Sequence, residues 1–173
     1  FDETDWSRDH AFRAHCLRQL RDGLNARLEE LRKITVAEVG CPIFMTYGAA
    51  LNDPVNWLGN YADFLEAYEW RRDMGIAEVM GQRTQRWIEM EAAGVVAAIT
   101  PWNVPNDINL KKVGWALAAG CTVVLKAAPS TSWCANFLGE VAATATDLPR
   151  GVFNVLTAFN NDVGEVLTGD RRV

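Results

Sequence analysis

Gly94-Val95-Val96-Ala97-Ala98-Ile99-Thr100-Pro101-Trp102-Asn103-Val104-Pro105 is the stretch on which the fold turns. Its first half is a nearly continuous apolar run, the pattern of a parallel strand covered on both faces. Pro101 and Pro105 interrupt it, and Asn106 or Asp107 can then cap a helix bearing Leu110, Val113, Leu117 and Ala118. Gly120 marks the end of that helix. The same grammar repeats downstream. Thr122-Val123-Val124-Leu125 reads as a second buried strand, ending at Lys126-Ala127-Ala128-Pro129. Ser130 or Thr131 opens another helix, with Phe137, Leu138, Val141, Ala142 and Ala145 toward the sheet, and Pro149-Arg150-Gly151 turns into a third strand, Val152-Phe153-Asn154-Val155-Leu156. Asp162 caps a short helix that Gly169 ends. This β-α-β-α-β-α order over residues 94–173, with right-handed crossovers, predicts an α/β fold: half of a doubly wound, Rossmann-like parallel sheet.

Working outward, residues 1–75 read as a helical segment. Ser7 can cap a helix whose apolar positions Phe12, Cys16, Leu17, Leu20, Leu24, Leu28 and Leu31 recur at three and four residues. That pattern reaches Glu38-Val39-Gly40-Cys41-Pro42, a stop signal. Asp53-Pro54 resembles an N-cap followed by Pro at the first helical position. The helix it opens carries Val55, Leu58, Tyr61, Ala62 and Leu65 inward and ends near residues 71–75. Residues 76–93 differ again. Ile76–Met80 and Trp87–Glu91 alternate over short spans around Gly81, as exposed or edge strands do. An unpaired edge seeks a partner, so this stretch is expected to be an assembly arm joining copies of the chain.

Composition narrows the function classes. The chain has 173 residues, 49% of them hydrophobic and 23% charged, with a formal net charge of −5. These proportions suit a folded domain and argue against a nucleic-acid binder. No apolar run approaches a membrane span. Cys16, Cys41, Cys121 and Cys134 form no CxxC, which points to free thiols in a reducing, cytoplasmic setting. No initiator Met or basic-then-apolar leader opens the sequence, so its natural start is expected to lie elsewhere. His10 and His15, five residues apart, do not share a helix face and predict no metal site.

In open α/β sheets ligands bind beyond the carboxyl ends of the strands. Here those ends hold Thr100 through Asn103, Lys126 through Pro129, and Thr157 onward. Asn103, stiffened between two prolines, can aim an amide NH₂ at a developing oxyanion or simply stabilise a turn. Lys126 can bind ribose hydroxyls or phosphate, or snorkel from a strand end. No two glycines stand two residues apart, so GxGxxG is absent, and Gly164 and Gly169 are not followed by the Lys of a P-loop. A pyrophosphate could instead sit at the helix beginning around residues 130–132.

Three blocks carry a resemblance: residues 94–105 quoted above, Ala116-Leu117-Ala118-Ala119-Gly120-Cys121-Thr122-Val123-Val124-Leu125-Lys126, and Leu148-Pro149-Arg150-Gly151-Val152-Phe153-Asn154-Val155-Leu156-Thr157. In their order and spacing they strongly resemble the aldehyde dehydrogenase superfamily, and residues 38–40 and the aromatic-rich helix after Asp53 resemble its N-terminal region more loosely. The resemblance implies oxidation of an aldehyde to a carboxylic acid with NAD or NADP, through a Cys thioester hydrolysed by Glu-activated water. It implies that Asn103 is the catalytic oxyanion donor and that Lys126 holds the adenosine ribose. Ile99, Thr100, Pro101, Trp102, Ala128 and Pro129 are the remaining expected cofactor-binding residues. Residues 76–93 become the oligomerisation arm of a homo-oligomer.

The sequence departs from the pattern at informative places. Pro129 replaces the ribose-binding Glu of many NAD-preferring relatives, leaving NAD and NADP both open. Trp115 and Ala158 stand where Pro and Gly are usual, and Asn106-Asp107 is more polar than the usual continuation. None of the four cysteines lies in the nucleophile's motif, and the family's glycine turn, general base and nucleophile follow the last of the matched blocks. The expectation is a portion of the oxidoreductase that is inactive alone. The competing readings are a truncated, non-catalytic protein that pairs with full-length subunits, and a separate nucleotide-binding module.

Overall fold

Asp9, rather than Ser7, starts the first long helix: its carboxylate accepts the Phe12 amide at 2.9 Å, while Ser7 belongs to a short 3₁₀ turn. The computed structural model describes residues 1–160 and 162–173. Helix α1 spans His10–Ala26 and α2 spans Leu28–Val39, so the single helical pattern of the sequence is two helices broken at Arg27. Arg27 leaves helical geometry, and its guanidinium is held by Glu30 and Glu140 and lies over the Phe137 ring. Gly40, at φ 67°, closes α2 as its sequence signal predicts.

Helix α3 is Asn52–Ala67, beginning just before the Asp53-Pro54 signal. Its inward residues Val55, Leu58, Tyr61, Ala62 and Leu65 are all buried. It ends earlier than its pattern suggests, because Arg71–Val79 is strand β1. Strand β2, Gln82–Glu89, pairs with β1 antiparallel from Arg71↔Glu89 to Val79↔Gln82. The stretch read as two edge strands is therefore one hairpin, longer at its start than the alternation alone shows. A bulge interrupts its register between Asp73 and Gly75, where the ladder gains one residue on β1.

The remainder follows the predicted order: β3 Val95–Ile99, α4 Pro105–Ala118, β4 Thr122–Lys126, α5 Ser132–Ala145, β5 Phe153–Leu156 and α6 Asp162–Gly169. Strands β3, β4 and β5 lie side by side in that order and all run parallel. This is the α/β arrangement that the apolar runs imply, but only β4 is buried nearly throughout. Strand β3 is half-buried with Ile99 exposed, and β5 alternates half-buried and exposed residues, because each has a sheet neighbour on one side only among the described residues. Neither Asn106 nor Asp107 caps α4; the helix begins at Pro105, whose missing N–H costs nothing there, and Asn106 is pulled into the interior instead.

The core is made by α1, α3, α4 and α5 packed around β4. Leu17, Leu58, Leu117 and Leu125 are fully buried in it. Helices α3 and α4 approach so closely that a Cβ on Gly114 would lie 2.6 Å from the Tyr61 ring. Arg13 is fully buried and, among the described residues, has no carboxylate in ion-pair contact, donating instead to the carbonyls of Trp6, Ser7 and Ala118. That ties the N-terminal turn to the end of α4. Burial lowers the Arg13 pKa to about 10.

Candidate functional site

The three parallel strands end in register. Ile99 pairs with Lys126, and Lys126 with Leu156, so their following loops emerge from neighbouring positions about 5 Å apart. Thr100 extends the ladder by one bond, its amide donating to the Lys126 carbonyl at 3.2 Å. Beyond the ends of β4 and β5 opens a cleft of about 550 Å³ lined by Pro129, Ser130, Ser132, Thr157, Ala158 and Phe159. This is where a doubly wound sheet presents its ligand surface.

The expected site residues divide by environment. Ile99, Pro101, Trp102 and Asn103 are exposed on one loop, and Pro129 is exposed on the next. Among the described residues the Asn103 side chain makes no hydrogen bond, so its amide is available to a ligand rather than tied into the turn. Thr100 is buried, and its hydroxyl has no partner among the described residues. Lys126 does not emerge into solvent as a snorkelling strand-end lysine would; it is 3% exposed and engaged in contacts of its own. Ala128 is half-buried between Lys126 and the cleft wall. The strand register thus brings the residues around Ile99, Lys126 and Leu156 together, and Pro129 joins residues after β5 in the cleft.

Several supporting residues were not legible as such. Glu38, at the end of α2, reaches the start of α5 and accepts the amides of Trp133 at 2.6 Å and Cys134 at 2.8 Å. That contact corrects one expectation: two of the amides a pyrophosphate would need at this helix start are already taken by a carboxylate. Asn106, fully buried, donates to the Thr35 hydroxyl at 2.7 Å, and Thr35 donates to the Leu31 carbonyl at 2.7 Å. Three residues after Asn103, this chain fastens the first turn of α4 to α2. The only available signal was the polarity of Asn106 and Asn109 on a helix face that otherwise reads as apolar.

Two of the thiols, Cys16 and Cys134, are poor nucleophiles. Burial, assisted by Asp147, pushes Cys16 up to about 12. Burial followed by the neighbouring Glu38 raises Cys134 far above the ordinary thiol range. Cys121 is buried as well, and no cysteine is among the residues that line the cleft. No group of three or more His, Cys, Asp or Glu is arranged to hold a metal ion among the described residues. No helix among them is long and apolar enough to cross a membrane.

A three-stranded parallel sheet flanked by helices, with a cleft beyond the carboxyl ends of β4 and β5, is a Rossmann-like α/β architecture. Residues 3–173 match the aldehyde dehydrogenase family, and the chain belongs to it. Mitochondrial succinate-semialdehyde dehydrogenase of Mus musculus is 37% identical over 164 residues, covering 91% of this chain and 30% of that protein. The crystal structure of an NAD-dependent aldehyde dehydrogenase from Sinorhizobium meliloti superposes with a TM-score of 0.89 at 35% identity, over 100% of this chain and 34% of that one. The Mycobacterium tuberculosis aldehyde dehydrogenase complexed with NAD+ gives a TM-score of 0.89 at 30% identity, over 100% and 35%. The chain therefore spans about a third of the length of these relatives.

Proposed function

We propose that this chain supplies part of the cofactor-binding half, and the oxyanion donor, of an enzyme that oxidises an aldehyde to a carboxylic acid with a nicotinamide dinucleotide. The observation that carries the reading is the in-register ending of β3, β4 and β5 beside a cleft that contains Pro129 and Thr157. The NAD-dependent relative from S. meliloti and the NAD+ complex from M. tuberculosis support the same cofactor class. The buried, unpartnered Thr100 hydroxyl and the polar edges of Ser130 and Thr157 fit such a ligand.

A nicotinamide dinucleotide held here would supply the hydride-accepting chemistry. Ile99, Thr100, Pro101 and Trp102 form the wall of its cleft on the β3 side, while Lys126, Ala128 and Pro129 hold its adenosine end. The Asn103 amide donates to the substrate oxygen as negative charge develops there, a contribution of about 3–4 kcal/mol to the transition state. The Asn106–Thr35 bond keeps the loop's exit fixed, so that this amide is aimed before substrate arrives. Neither Cys16 nor Cys134 suits the role of attacking thiolate, since burial raises both thiols, and this reading assigns the nucleophile and the general base to the part of the relatives' length that this chain does not match. Hairpin β1–β2 pairs with a second copy of the protein, and the free thiols suit a reducing compartment such as the cytoplasm.

Purified residues 1–173, mixed with NAD or NADP and a panel of aldehydes, are expected to produce no reduced cofactor. Turnover by this chain alone, abolished in Asn103→Ala, would overturn the division of labour. In the longer enzyme, Asn103→Ala is expected to lower kcat by about 10²–10³-fold with little effect on cofactor affinity. Unchanged kcat would remove Asn103 from the chemistry.

A further inference from the structure

Trp115, which stands where Pro is usual, is 45% exposed near the end of α4. It borders a groove of about 230 Å³ between the end of α3, the root of the hairpin and the last turn of α4, walled by the rings of Phe64, Tyr68, Trp70 and Trp115. Grouped apolar rings left in contact with water mark a binding surface. The rings meet in two corners. Phe64 and Trp115 stand at 86° with centroids 5.4 Å apart, and Tyr68 and Trp70 at 71° and 5.0 Å. In such edge-to-face pairs the corner shows π surface on both of its sides. Phe64 and Tyr68, 5.5 Å apart, join the two corners. Trp115 lies about 15 Å along α4 from its first residue, so the groove is at the opposite end of that helix from the loop that carries Asn103.

The charge at the groove matches its rings. Glu91 is the one charged residue in the lining; it is exposed and makes no hydrogen bond or ion pair among the described residues. The rest of the lining, Met90 included, is apolar. A ring face carries negative potential and attracts a cation within about 6 Å of its centroid. Trp70 already takes the Arg13 guanidinium at 5.1 Å and the His10 ring at 4.2 Å, whereas no cation lies over Phe64, Tyr68 or Trp115 among the described residues. The apolar lining selects the kind of cation. A primary ammonium brings three strongly hydrated N–H donors to a groove with one carboxylate, and would leave donors unpaired. A fully alkylated ammonium has no N–H to satisfy, and its alkyl groups suit the ring walls.

We propose that this groove binds a small alkylated ammonium cation, with the rings of Phe64, Tyr68 and Trp115 around its alkyl groups and the Glu91 carboxylate beside its charge. The inference rests on ring geometry and charge alone and stands apart from the cofactor reading above. Trp115 and Glu91 are both exposed, so Trp115→Leu and Glu91→Gln are compatible with the fold.

The test is a titration of the ¹⁵N-labelled chain with tetramethylammonium chloride and, separately, with tert-butanol, an uncharged molecule of similar shape, at constant ionic strength. Tetramethylammonium is expected to shift the indole N–H signals of Trp115 and Trp70 saturably in the millimolar range, and tert-butanol to bind more weakly by about five-fold or more. Trp115→Leu, read at the Trp70 indole, and Glu91→Gln are each expected to weaken tetramethylammonium by about two- to five-fold. The amide signals of β4 should stay in place in both variants, and Glu91→Gln should leave tert-butanol unaffected. Equal affinity for the two probes overturns the inference, because the groove would then read shape and apolarity without charge. Affinity for tetramethylammonium that neither substitution moves overturns it as well, as does the lack of any saturable shift. Indole signals that move with protein concentration before a probe is added would mean that a second copy of the chain fills the groove, which also overturns it.

Discussion

The hairpin and the parallel sheet are both built from backbone ladders, yet they stand in opposite relations to the rest of the molecule. From Arg71 to Val79 and from Gln82 to Glu89, nearly every residue of the hairpin is exposed, including Ile76, Trp87 and Ile88. In β4 every residue is buried except the half-buried Val124. Hydrogen bonds exchanged with water contribute little net stability, whereas burial of apolar area contributes most of it. The parallel sheet, through β4, is therefore part of the cooperative core, while the hairpin stands outside it. At its root Trp70 donates to the Leu65 carbonyl and accepts the Met90 amide, the main tether of the arm to the helices.

The largest test of this contrast is a truncation in each sheet. Leu125→Ala in β4, at a fully buried position, is expected to lower the unfolding free energy by about 2–5 kcal/mol. Ile76→Ala in β1 should change it by less than about 0.5 kcal/mol. Urea denaturation of the two variants measures both, and similar losses would mean that the hairpin belongs to the core. A smaller effect is expected from Glu38→Ala, which strips the start of α5 of its carboxylate cap. A loss of about 1–2 kcal/mol by the same measurement is expected, with the hairpin's amide exchange unchanged.

The same contrast explains what could be read from sequence. The strands β3 and β4 announce themselves as consecutive apolar runs, although only β4 is buried on both faces; β3 is half-buried with Ile99 exposed, and β5 alternates half-buried and exposed residues. The break between α1 and α2 was not visible, since Arg27 looks like any solvated helix residue and is fixed by Glu140, 113 positions away. The hairpin's first strand was read too short because Arg71, Arg72 and Asp73 are polar on both faces, so no alternation marks them. For the site, the strand ends are what mark Thr100 through Asn103 and Lys126 in the sequence, and the structure places them just after β3 and at the end of β4. The burial of Lys126 and the reach of Glu38 across to α5 are tertiary facts with no local signature.

Acid should reveal the joint between the two regions. The His10 ring lies 4.2 Å from the Trp70 ring, at the root of the hairpin. Burial, reinforced by the Arg13 charge and opposed by Asp9, holds its pKa below the ordinary 6.5. The unfolded chain then takes up this proton more readily than the folded one, so stability is full above pH 6.5 and declines as pH falls through that value toward the lowered one. Thermal unfolding between pH 7 and pH 5 is expected to show this decline, and His10→Gln to flatten it. A slope that survives the substitution would assign the acid sensitivity to another group.

The smallest effect probes the hairpin's independence most directly. Its two-residue turn, Met80-Gly81, has positive φ at both positions, 52° and 77°. That is the backbone twist a tight antiparallel hairpin requires, but Met is poorly suited to it, and its side chain is 99% exposed. Met80→Asn is expected to stabilise the turn by about 0.5–1 kcal/mol, slowing exchange of the Ala77 and Thr84 amides by about two- to five-fold. Because the arm buries so little of itself, the urea midpoint of the whole chain should not move. If it rises with the turn's stability, folding of the arm is coupled to the core through Trp70, and the hairpin is a strut of the monomer rather than a surface held ready for a second copy.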